Sequence, residues 1–246
     1  MAERTQLAVQ HLAQTLADQF PILLDAAGAT SRWALAELIN LCEELIAALD
    51  EPTQTTPDSL ARFATNRDMD VLAHNQTIRS IIGTESPRTL RNQAANATSQ
   101  AIAALARPSL PPAVNTPVGP VRTSDLLRAL TIEASLLADH CRASLDPPGT
   151  AQCTRALASI LGERFPGRTI EVRVPPYTAV QLASLTAGPQ HHRGTPPNVV
   201  EMDTRTFWEL CTGVLSWDGA REAHRLRVSG VHAGDVATML PVVHRR

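Results

Sequence analysis

A chain of 246 residues is long enough for two ordinary domains, which cluster at about 100 to 150 residues. Hydrophobic residues at 43% and charged residues at 19% predict folded cores and argue against disorder. A net charge of −2 provides no broad cationic field for a phosphate backbone, so nucleic acid is excluded as an expected partner.

All 22 basic residues are arginine, a bias that fits a GC-rich coding sequence and no particular fold. The apolar run LAELINLCEELIAAL is interrupted by Glu37, Glu43 and Glu44, short of the roughly 20 apolar residues a bilayer span needs. The opening MAERTQLAVQHLAQ lacks a cationic start followed by an apolar core, so no secretory signal is read and a cytoplasmic location is expected. Cys42, Cys141, Cys153 and Cys211 form no Cys-x-x-Cys pair, which predicts buried reduced thiols rather than disulfides or zinc ligands.

From residue 1 to about 145 apolar residues recur at helical spacing, and a four-helix-type bundle is predicted. A first helix runs from about Arg4 to Phe20 and stops before Pro21, where a proline lacks its N–H. Ser31 caps a second helix carrying Trp33, Leu38, Leu41, Leu45 and Leu49. Pro57 and Asp58 open a third helix to about Ile82, ended by Gly83. Ser86, with Pro87 at the first helical position, opens a small-residue helix through Ala106. The proline-rich PSLPPAVNTPVGP reads as a loop, and Thr123 or Ser124 caps a last helix to about Leu145.

Asp146, Pro147, Pro148 and Gly149 mark the domain boundary, and the pattern changes over residues 150–246. A helix from Gln152 to Phe165 precedes TIEVRVPP, where Ile170, Val172 and Val174 alternate with Glu171 and Arg173 as in a half-buried strand. Further strands are predicted at about 179–186, at Asn198 to Met202 and at LRVSG. Short helices, the first capped by Asp203 or Thr204 and the second by Ser216, lie between the last two, and a helical turn is expected at 235–240. The fold class is therefore α+β overall: a helical bundle followed by an α+β domain with a mixed or antiparallel sheet of about five strands.

The run NVVEMDTRTFWELCTGVLSWDGAREAHRLRVSG resembles the closing half of the sterol carrier protein-like domain, in its strand, acidic helix start, glycine, second short helix and returning strand. VRVPPYTAVQ and RGTPPNVVE are similar to an actinobacterial branch of that family, and the likeness covers about Thr150 to Val243. The resemblance implies a five-stranded sheet and helices around an apolar cavity that holds a lipid or other hydrophobic small molecule without chemistry. Val180, Leu182, Phe207, Trp208, Leu210, Val214, Leu215 and Trp217 are the candidate lining residues, and each is equally explicable as ordinary core. Arg193 is a candidate for the pocket mouth, or for pairing with a carboxylate.

His191 and His192 are adjacent, so on an extended chain they project to opposite faces and are not expected to share a metal ion. The bundle with its appended domain is similar to the mycothiol-dependent maleylpyruvate isomerase family, whose DinB-like bundle holds a divalent metal through two histidines and a glutamate. In RWALAELINLCEELI, Trp33 and Leu38 match that family's second helix, but its histidine position falls on Leu41. In RALTIEASLLADHCRASL, Glu133 matches and the other histidine position falls on Leu137.

Leucine cannot coordinate, so the bundle is read as metal-free and without cofactor, and a buried Glu133 then needs a partner such as Arg128 or an arginine of another helix. His11 and His74 are further inward-facing candidates. The enzyme alternative is a mycothiol-dependent transferase or isomerase with zinc on Glu133 and His140, Arg227 steering an anionic substrate.

Overall fold

The computed structural model describes residues 2–184 and 198–244. The chain divides into two compact units, Met1–Cys153 and Thr154–Arg246. No helix among the described residues is long and apolar enough to cross a membrane.

The first unit opens with α1 (Ala2–Thr30), which runs through Pro21 instead of stopping before it. Pro21 lies on the exposed face, while Leu16, Phe20, Leu23 and Ala27 continue one fully buried stripe across it. Burial of that stripe outweighs the roughly 3 kcal/mol that an interior proline costs. Next comes α2 (Arg32–Leu49), with the Ser31 hydroxyl accepting the Ala34 N–H at 3.1 Å.

The predicted third helix is broken in two, α3 (Leu60–Met69) and α4 (Val71–Ile82), at Asp70 with φ −92° and ψ 29°. Ser59 caps α3, while Asp58 pairs with Arg62 at 3.2 Å instead of capping. The next helix, α5 (Pro87–Leu105), is capped by Ser86 as its sequence requires. Two two-residue strands, β1 (Ala113–Val114) within the proline-rich stretch expected to be loop and β2 (Val121–Arg122) just after it, pair antiparallel. Thr123 opens α6 (Thr123–His140) but does not cap it, because its hydroxyl donates to the Pro111 carbonyl.

Four helices make the bundle. Both α1 and α2 pack against α5 and α6 as well as against each other, while α4 lies on α2 and α3 on α6. Ala94, Ala97, Ala101 and Ala104 give α5 a buried face of small side chains, which lets α2 approach closely. The start of α7 (Pro147–Arg164) is tied into this unit by Gln19, whose amide donates to Asp146 Oδ1 at 2.8 Å and whose carbonyl accepts the Asp146 N–H at 3.0 Å. A Cβ on Gly149 would stand 2.6 Å from the Gln19 amide, so this close approach requires glycine.

The second unit takes in the rest of α7, then β3 (Pro166–Val174), β4 (Thr178–Leu182), β5 (Asn198–Glu201), α8 (Thr204–Cys211), α9 (Trp217–Glu222), β6 (Arg227–Ser229) and a 3₁₀ turn at Ala233–Met239. Among the described residues the sheet has four strands in the order β4-β3-β5-β6, with β3 and β5 parallel and the other neighbours antiparallel.

Register places Val172 beside Val180 and Val200, and Ile170 beside Leu182, so these side chains share one face. Val172, Ile170, Val174, Leu182 and Val200 are completely buried. The opposite face is polar, with Arg173 donating to Glu171 at 2.5 Å and Arg227 lying 3.5 Å from Glu201.

Candidate functional site

Sequence reasoning points to two places, the apolar interior of the second unit and the polar seam of the bundle. In the second unit, α7 covers the apolar sheet face. A Cβ on Gly162 would stand 2.8 Å from Val180 Cγ2, so the helix backbone rests directly on the Val180 side chain of β4. From the same helix Ala156, Leu157, Ile160 and Leu161 are buried.

Of the predicted lining residues, Leu182 is fully buried on the sheet, and Phe207 and Leu210 are buried on α8. Trp208 is 8% exposed, with the Arg205 guanidinium 4.8 Å from its ring centroid, a cation–π contact that holds the indole near the surface. Val180, Leu215 and Trp217 are half-buried, and Val214 is 41% exposed on the turn after Gly213. The candidate residues therefore separate into a buried set, Leu182, Phe207, Trp208 and Leu210, and a more exposed set, Val180, Val214, Leu215 and Trp217. Arg193, His191 and His192 lie outside the described residues.

Asp203 fixes the start of α8 by accepting the Thr206 N–H and the Thr206 hydroxyl, both at 2.8 Å. Burial alone would raise its pKa, but these bonds and the nearby Arg225 guanidinium hold its carboxyl below the ordinary value. A depressed carboxylate contributes stability that is present above its unfolded pKa of about 3.9 and is lost as pH falls through the lower folded value. Asp203→Ala is accordingly expected to lose about 1 kcal/mol at neutral pH and to differ less from the parent protein in acid, as read by urea unfolding at two pH values.

In the bundle, the metal candidates are engaged elsewhere. Glu133 pairs with Arg67 of α3 at 3.5 Å, and the same guanidinium donates to Glu44 of α2. The expected partner Arg128 instead holds Asp125 at 2.8 Å. Burial would lower the Arg67 pKa, but Glu44 and Glu133 outweigh it and keep the guanidinium charged. Phe63 lies against it, 5.7 Å from guanidinium carbon to ring centroid.

His140 packs its ring on Trp33 at a centroid distance of 4.4 Å. His74 on α4 meets Glu37 on α2 at 2.9 Å, whereas His11 is exposed on α1. Leu41 and Leu137, where the resemblance would place histidines, are buried apolar side chains. Among the described residues, no three His, Cys, Asp or Glu side chains converge as a metal-holding group.

Sequence reasoning missed the Glu44–Arg67–Glu133 bridge and the Glu37–His74 pair. The available signal was the seven-residue spacing of Glu37 and Glu44, which places both on one face of α2 beside the buried stripe of Leu38, Leu41 and Leu45. Burial pushes the Cys42 and Cys153 thiols up to about 12 and raises that of Cys141 as well, which disfavours the thiolate at these three.

Residues 146–242 match the sequence model of the family described as bacterial SCP ortholog. The sterol carrier-like resemblance is borne out for that part of the chain. No curated protein matches the sequence. Among solved structures, the chain is similar to a histidine-to-alanine mutant of the mycothiol-dependent maleylpyruvate isomerase, at 17% identity and TM-score 0.49, covering 91% of this chain and 93% of that one. The same isomerase without the mutation gives 16% identity and TM-score 0.46 over 85% and 88% of the two chains.

Proposed function

We propose that the second unit binds and carries a lipid or other hydrophobic small molecule without altering it, and that the bundle serves as a metal-free companion. The observation that carries this reading is the match of residues 146–242 to the bacterial SCP ortholog family.

The physical setting supports it. A sheet with one mainly apolar face, partly roofed by α7, provides the kind of interior in which an oily chain gains about 25 cal/mol for each Å² removed from water. Leu182, Phe207, Leu210 and Val180 are the proposed wall, and Leu215, Trp217 and the exposed Val214 the proposed approach. Arg193 is proposed to meet an acidic head group at the mouth. The metal-free role of the bundle is supported by Arg67, a buried cation already paired with both Glu133 and Glu44.

Native mass spectrometry of the full chain, with titration of cis-parinaric acid, tests the proposal. A co-purifying acyl chain or stoichiometric uptake with enhanced fluorescence is expected. Protein recovered empty that also fails to take up the probe would sink it.

A further inference from the structure

The bundle has an unassigned hollow of about 500 Å³, set between α2, α4 with the link from α4 to α5, and α5. Its size is within the range of small-molecule sites, roughly 300 to 1,000 Å³. The floor is apolar, made of the buried Ile39 and Ala97 with the half-buried Ile81.

Around that floor stand two carboxylates, Glu43 and Glu85, and three amides, Gln93, Asn96 and Gln100. The amides follow one stripe of α5, at intervals of three and four residues, so they face the hollow together. None of these five side chains is hydrogen-bonded or ion-paired to a described residue, and among the described residues no cationic side chain lines the hollow. Arg32 comes near, but its guanidinium donates to the Ile82 and Gly83 carbonyls at 3.1 and 3.4 Å.

We infer that this hollow binds an aliphatic polyamine. Two separated carboxylates answer two ammonium groups, the amide oxygens accept their remaining N–H bonds, and the apolar floor receives the methylenes between them. A bare metal ion fits less well, because it would leave the apolar floor of Ile39, Ile81 and Ala97 unused. An anion meets only like charge. The inference concerns the first unit and does not depend on the carriage reading.

Spermidine is the probe, titrated into the full ¹⁵N-labelled chain, with 1,4-butanediol as the uncharged control. Chemical-shift changes are expected to cluster on α2, the α4–α5 link and α5, and to fade with added salt, while the diol gives none. Glu43→Gln and Glu85→Gln are both isosteric, and Glu43 is exposed, so the fold should survive. Each is expected to weaken binding about tenfold, the effect of losing one charge-assisted hydrogen bond.

Exposed Glu51→Gln, outside the lining of the hollow, should leave the affinity unchanged. Shifts scattered over all surface carboxylates, affinity in both hollow variants equal to the parent's, or no response at spermidine on the order of 1 mM, the weak end of ligand binding, would each overturn the assignment.

Discussion

Arg67→Met is expected to cost about 3 to 5 kcal/mol of unfolding free energy, the penalty for removing one partner of a buried ion pair. The Arg67 side chain is 7% exposed, and Glu44 and Glu133 are only 18% and 22% exposed. Methionine fills much of the same volume, so the loss is electrostatic: two partly desolvated carboxylates from α2 and α6 are left facing each other with no cation between them.

That cause makes a second expectation. Neutralising both acids in the methionine background, with Glu44→Gln and Glu133→Gln, should restore most of the stability, because the triple variant leaves no uncompensated charge. Urea unfolding of the parent, the methionine variant, the Glu44→Gln/Glu133→Gln double variant and the triple variant measures the coupling. A methionine variant within about 0.5 kcal/mol of the parent, the range of an ordinary surface substitution, would show that water already screens the acids and that the bridge does not hold the bundle together.

The same residues show where the sequence was readable. Helices were legible where a buried stripe and a cap agreed: Ser31, Ser86, Asp203 and Ser216 each accept the expected N–H. Pro21 misled because proline acts locally, whereas the burial of Leu23 and Ala27 that carries α1 onward is tertiary. The break at Asp70 was hidden because the apolar pattern of Phe63, Val71 and Ile78 runs across it.

Alternation in TIEVRV gave both faces of β3, but nothing local to β3 and β5 records that they pair in parallel. For the bundle site, the loss of coordinating residues at Leu41 and Leu137 was readable letter by letter. The replacement of that chemistry by Arg67 was not. The partner of Glu133 comes from a helix 66 residues away in sequence, and only folding brings the two together.

Phe207→Ala is expected to destabilise the second unit by about 3 to 5 kcal/mol, since the ring is 1% exposed and its removal loses both apolar burial and packing contacts. Val214→Ala, at 41% exposure, should stay within about 0.5 kcal/mol. The pair separates wall from surface, and lipid response separates wall from plain core. If Phe207 borders the proposed cargo space, its truncation enlarges a dry apolar void that an added fatty acid can occupy.

Ligand bound to the folded state then raises stability by RT ln(1 + [L]/Kd). The alanine variant should therefore regain more stability with cis-parinaric acid than the parent gains, read as slowed hydrogen exchange of the β3 and β5 amides. Equal destabilisation with and without the fatty acid would identify Phe207 as filler in a closed interior, and would remove it from the proposed wall. Recovery specific to the variant would place the oily guest against α8, beside the Asp203 cap that fixes where that helix begins.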